Sequence, residues 1–389
     1  TMNTSPSTST LGAITLGRVF GFKPHLAHEL IDKAGSIENL FKLSECQRNS
    51  LLGPFSPFKD QLNDASLEES LREFRRITEC GARYVSIEDQ GYPQRLKECY
   101  DAPIGLYYKS ITDIQDLFNR PMISIVGTRD VSTYGQQWCQ KIVLTLSKAP
   151  IKPTIVSGLA LGVDSIAHEA ALQFGLPTMA ILPTGIEAVY PRRHWALARK
   201  CSQTPLCGLV SDFSIGYPVT VANFLRRNRI IAALSSATIL VESKKHGGGL
   251  ITARLASEYN RDIYALPGRI DDIRSQGCNN LIEQHIAESI ANLETLSSRL
   301  GLGHTILSPN GSFSEKVERF YANLPPEMLE DVLSIAKHLE NNRDADIENI
   351  ASICGLTYSR ALGLCVMLQK DNFLQMDLLQ RCSIIVKNE

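Results

Sequence analysis

Between residues 81 and 300 the chain repeats one unit: a short apolar run, a turn, then apolar residues at helical spacing. The runs read as strands at 82–87, 104–108, 122–126, 154–156, 178–182, 209–211, 238–241 and 263–266. Strands that alternate with helices must close into βαβ units, because parallel neighbours need a crossover. The predicted core is therefore α/β, an extended Rossmann-like fold with a mostly parallel sheet. Ligands of such sheets bind beyond the carboxyl ends of the strands, so function is sought in the loops there.

The flanks differ. Residues 1–10 are Ser/Thr-rich without a signal-peptide core and are expected to be a disordered tail. Residues 11–80 read as a small N-terminal module of short helices, of helix-hairpin-helix or SAM-like type, which either binds DNA or serves as a scaffold or partner surface. Residues 301–324 are rich in Gly, Ser, Pro and Asn and read as a linker. Helical patterns at 328–341, 346–354 and 357–370 precede two short strands at 373–376 and 383–386, the order of a winged helix, so 325–389 is expected to be a winged-helix-like domain. The last of these helices, the one placed to read a groove, carries only Arg360 and Lys370 as cations, which suits an interaction module better than a base reader.

Composition removes other classes. No run of about 18 apolar residues exists, so no membrane span is expected. Ten scattered cysteines form no C-x-x-C pair, which argues against zinc and for reduced, buried thiols in a cytoplasmic protein. Net charge is −1, yet residues 190–269 hold twelve cationic side chains against four anionic ones. Either one patch faces a polyanion, or these charges are paired on a solvated surface.

Five loops carry the chemistry. Gly127-Thr128-Arg129 follows a strand, and Ser132 or Thr133 caps the next helix, so Arg129 projects at a strand end with a guanidinium suited to phosphate. Ser157-Gly158-x-x-x-Gly162-Val163-Asp164 offers backbone N–H groups at a helix start. It is neither G-x-G-x-x-G nor a Walker loop, and His168 behind it reads as a packed histidine. A third loop places Tyr190 and Arg193 at a strand end, where the ring stacks on a base or packs. Phe224-Leu225-Arg226-Arg227-Asn228-Arg229 lies on a helix. There Arg226 and Arg229 share a face, so that one or two arginines reach a ligand while another pins the fold. Finally Lys244, Lys245, Gly248, Gly249 and Thr252 form a glycine cradle with flanking cations and a hydroxyl. No Ser/His/Asp order, carboxylate pair or metal-ligand set accompanies them, so the loops bind phosphates and do not cleave; no cofactor or metal is expected.

In this order the loops resemble the bacterial DNA-processing protein A family (DprA, also called Smf). The resemblance runs from about residue 84 to 286. It rests on Val126-Gly127-Thr128-Arg129, Ser157-Gly158-Leu159-Ala160-x-Gly162-Val163-Asp164, Tyr190-Pro191, Arg227-Asn228-Arg229, Gly249-Leu250-Ile251-Thr252, Pro267-Gly268 and Gly277-Cys278-Asn279-Asn280. It implies a non-catalytic, dimeric protein that binds single-stranded DNA and loads RecA during natural transformation, with Arg129, Arg226, Arg227 and Arg229 as DNA contacts. The chain departs from the family pattern at Glu187, His194, Leu225 and Gly247. Two other readings are a nucleotide N-glycosidase, which needs a glutamate just after the glycine turn where the first carboxylate is Glu258, and a protein adaptor acting through its ends.

Overall fold

The computed structural model describes residues 6–303, 313–322, 324–342, 345–371, 373–377 and 380–384. They fall into two compact units divided near residue 305.

The first unit is built on a nine-stranded sheet. Its strands are β1 (Arg83–Ser86), β2 (Gly105–Lys109), β3 (Met122–Val126), β4 (Thr154–Ser157), β5 (Thr178–Ile181), β6 (Gly208–Ser211), β7 (Ala237–Leu240), β8 (Asp262–Ala265) and β9 (Glu288–Ser289), in the order β1-β2-β6-β5-β4-β3-β7-β8-β9. β2 pairs antiparallel with β1 and β6, and all other pairings are parallel. β3 through β7 are buried at every position, as strands covered on both faces must be, which is why they read as unbroken apolar runs. The Rossmann-like, mostly parallel core is thus present. Strand order reverses at β3: β4, β5 and β6 lie on one side, β7, β8 and β9 on the other. The crevice between the ends of β3 and β7 is the topological switch point.

The expected tail is shorter than ten residues. A helix begins at Thr8 because the Ser7 hydroxyl accepts the Thr10 N–H; residues 1–5 lie outside the described residues. Helices Thr8–Phe20, Pro24–Ala34, Ile37–Lys42, Glu45–Leu52 and Asp64–Glu79 form the N-terminal module. It shares its core with the sheet: Leu16, Phe20 and Leu40 belong to the same buried cluster as Leu106, Val210 and Ile181.

The second unit has its own core around Val332, Ile335, Ile350, Leu364 and Leu374. Helices Pro326–Asn341, Ile347–Cys354 and Tyr358–Lys370 accompany strands β10 (Ala345–Asp346), β11 (Leu374–Met376) and β12 (Arg381–Ile384), in the order β10-β12-β11. The anticipated linker is partly structure. Phe313–Phe320 is a helix whose Val317 is buried in this core, a pattern hidden beside the breaker-rich stretch. Residues 304–312 of that linker, and 385–386 of the expected last strand, lie outside the described residues. Among the described residues no single helix is long and apolar enough to cross a membrane.

Candidate functional site

Two glycine turns meet at the switch point. A methyl on Gly249 would stand 2.8 Å from the Gly127 Cα, so only glycine lets the turns after β3 and β7 approach this closely. The Thr128 N–H donates to the Glu242 carbonyl at 2.8 Å. The buried Glu242 carboxylate accepts the Ser132 N–H at 2.9 Å and the Ser132 hydroxyl, and Ser132 in turn caps the helix Thr133–Ser147. Gly162, with φ +78°, lets the turn after β4 reach Thr128, whose carbonyl accepts the Val163 N–H at 3.2 Å. Three strand-to-helix turns are therefore laced into one rim.

The rim encloses an open cleft of about 610 Å³. Arg129 is exposed, and its guanidinium carbon lies 5.2 Å from the Phe224 ring centroid. Tyr190 meets the same ring edge-on, with centroids 5.4 Å apart. Phe224 is held there by its neighbour Asn223, which is fully buried and donates to the Pro183 and Pro218 carbonyls at 3.0 Å each. Opposite stand Lys244 and the Gly247–Gly249 backbone, where the helix Gly248–Glu258 begins with its free N–H groups and the Thr252 side chain on the cleft wall. Lys244 pairs loosely with Asp130, which also holds Arg274. The site thus offers a cation, two aromatic faces and an amide-lined turn, suited to an anion joined to a flat ring.

The floor is Arg227, only 3% exposed, with Asn228 beside it. Its Nη1 donates to the carbonyls of Gly158 and Ile181, tying β4 to β5, and burial pulls its pKa down to about 10. Asp164, six residues on from Gly158, accepts the Gly158 N–H at 3.1 Å; desolvation raises its carboxyl pKa, against the pull of Arg227.

Of the residues expected to touch a ligand, Gly127, Arg129, Phe224, Arg227, Asn228, Lys244, Gly248, Gly249 and Thr252 line the cleft. The others do not. Arg226 and Arg229 point behind the helix Val221–Leu234, into the junction with the N-terminal module. Both bond the buried Asp212 carboxylate, at 2.8 and 3.0 Å, and Arg226 lies between the Phe22 and Phe213 rings. Their shared helix face holds the fold together and lines a separate groove beside Phe22 and Tyr100, outside the cleft. Ser157 is fully buried, its hydroxyl donating to the Ile125 carbonyl, and Gly158 sits beneath Arg227. Gly162 shapes the rim from behind. Arg193 and Lys245 are exposed outside the cleft lining. His168 is packed, bonded to the Thr178 hydroxyl at 2.7 Å, and burial lowers its pKa to about 3. The pin at Glu242 and the Asp130 partner of Lys244 were not assigned roles from sequence; carboxylates that serve loops carry no motif of their own.

The carboxylates lining the cleft are Asp130, paired and exposed, and the buried Asp164. Glu258 ends the helix that starts at Gly248 and is exposed three turns away, too far for acid/base work at the turn. Among the described residues no group of His, Cys, Asp and Glu could hold a metal ion, and the ten cysteines are free.

Comparison with known proteins agrees with this geometry. Residues 83–301 match the family model of DNA recombination-mediator protein A. DNA processing protein DprA of Streptococcus pneumoniae is 34% identical over 256 residues, 66% of this chain and 84% of that relative. Protein Smf of Escherichia coli is 35% identical over 64% of this chain and 65% of its own length, so the chain spans slightly under two thirds of it. The X-ray structure of the S. pneumoniae protein superposes with a TM-score of 0.65 at 29% identity, covering 76% of this chain and 99% of the other. A Helicobacter pylori DNA processing protein A structure, described for its single-stranded DNA binding mode, gives a TM-score of 0.50 at 29% identity over 56% of this chain and 95% of that one. The sheet order, the switch-point cleft and these matches lead to one conclusion: this chain belongs to the DNA recombination-mediator protein A (DprA/Smf) family.

Proposed function

We propose that this chain binds single-stranded DNA in the switch-point cleft, performs no reaction on it, and as a homodimer delivers it to RecA recombinase. The observation that carries the reading is the grouping of Arg129, Phe224, Tyr190 and the Gly247–Gly249 turn around one open space. Arg129 and the turn amides suit phosphates, and the rings suit unpaired bases, which duplex DNA keeps stacked inside. The H. pylori relative, described as a single-strand binder, supports the ligand class. The absence of a positioned glutamate at the glycine turn weighs against the N-glycosidase reading.

The second unit serves this role as a winged-helix-like interaction module. Arg360 of its helix Tyr358–Lys370 is engaged by Asp331 at 2.6 Å, which leaves that helix poorly furnished for reading a groove.

The direct experiment titrates a labelled oligonucleotide, single-stranded against double-stranded, at two salt concentrations. Preference for the single strand, with affinity falling steeply as salt rises, is the expected outcome. Equal affinity for both forms would overturn the reading.

A further inference from the structure

Residues 188–211 contain no Asp or Glu but hold Arg192, Arg193, Arg199 and Lys200. All four are exposed, and none lies within ion-pair distance of a carboxylate among the described residues. Some exposed arginines elsewhere are matched, Arg83 by Asp113, Arg269 by Asp271 and Arg360 by Asp331, while others such as Arg72, Arg95, Arg120 and Arg254 also stand without an ion pair; what sets these four apart is that they accompany one exposed indole. In the midst of the unmatched four stands Trp195, 57% exposed, with the Arg199 guanidinium 5.5 Å from its ring centroid. The opposite face of its helix, Trp195–Gln203, is anchored by the buried Leu197, Ala198 and Cys201. A large ring is thus held out to solvent on a fixed support.

This surface adjoins the cleft. Tyr190, on the cleft wall, leads through Pro191 into the short turn Arg192–His194, and His194 Nδ1 bonds the Leu159 carbonyl at 2.8 Å, one residue from Ala160 in the cleft lining. The other way out, over Leu225, leads to a groove beside Phe22 and Tyr100. There Arg226 and Arg229 are already neutralised by Asp212 and Asp101, so a phosphate chain gains little.

We infer that Trp195 is a second base-stacking site, and that a strand leaving the cleft runs over it with its phosphates against Arg192, Arg193, Arg199 and Lys200. The inference rests on the cleft being the primary single-strand site. A ring flanked by free cations is the arrangement that grips bases and backbone together.

The chain has two tryptophans, so Trp138→Phe leaves Trp195 as the sole indole in the otherwise intact protein. This variant is titrated with oligothymidylates of about 6 and about 20 nucleotides, lengths near a single cleft and beyond it. Binding is followed independently by anisotropy of a labelled end. The longer strand is expected to quench Trp195 emission by about half or more, and the shorter to bind with little quenching. Trp195→Ala should weaken the longer strand by about five- to thirtyfold, the scale of one lost stacked base, and leave the shorter unchanged, while Trp195→Phe restores most of the affinity. Emission that stays constant while anisotropy reports the long strand bound overturns this inference and spares the cleft. Absence of binding by either strand overturns both.

Discussion

Arg226 Nε donates to Asp212 Oδ2 at 2.8 Å, with both side chains almost wholly removed from solvent. Arg229 reaches the same oxygen from one turn further along the helix, at 3.0 Å. Cations that a basic motif suggests for DNA here bind one helix to the sheet and to the N-terminal module.

Asp212→Asn should therefore destabilise the core by about 3–5 kcal/mol, since it strands the buried Arg226 guanidinium and leaves Arg229 with Asp101 as its one carboxylate. The thermal midpoint would fall by roughly 10 °C. Single-strand affinity of the protein still folded would change less than about twofold. Calorimetry paired with an oligonucleotide titration checks this; loss of affinity with unchanged stability would return Arg226 and Arg229 to the binding surface.

That reversal marks the limit of what the sequence discloses. Buried parallel strands are continuous apolar runs, so β3 through β7 were legible to within a residue or so. Helical geometry also put Arg226 and Arg229 on one face. It could not say that Asp212, at the end of β6, waits beneath that face, because the partner is supplied by sheet order and not by spacing. Arg129 was recognisable because a strand-end turn has only one direction in which to project it. The helix Phe313–Phe320 went unread beside a stretch dominated by Gly, Ser and Pro, and the start of the first helix at Thr8 depended on a single serine cap.

The two central glycines separate architecture from contact. A methyl at Gly248 meets nothing within 4 Å, whereas one at Gly249 meets the Gly127 backbone at 2.8 Å. Gly248→Ala should hold or raise the melting temperature, because alanine favours the helix start. It should weaken single-strand binding about three- to tenfold by crowding the amide rim. Gly249→Ala should cost about 1–3 kcal/mol of stability as well as affinity. Melting curves and titrations on both variants distinguish the roles; the same loss of stability in each contradicts the assignment.

His168 predicts a pH dependence. Its folded pKa, held near 3 by burial, lies below the ordinary 6.5, so the unfolded chain takes up a proton first on acidification. The stability it contributes is present above pH 6.5 and is lost as pH falls toward 3, at up to about 1.4 kcal/mol per pH unit. Asp164, whose folded carboxyl pKa is raised, works in the opposite sense at low pH, so the comparison must be made with a variant. Urea midpoints between pH 7 and 4.5 should fall less steeply for His168→Gln than for the parent chain, and parallel lines would remove His168 as a cause.

Arg129, with its guanidinium over Phe224, is where the account is most exposed. The decisive measurement is the affinity of Arg129→Ala for a labelled single strand across a salt series. The expected result is a loss of about tenfold or more at low salt, and a slope of log affinity against log salt that is shallower by about 0.7, the contribution of one phosphate on a single strand. A variant that keeps the parent's affinity and slope would contradict binding in the switch-point cleft.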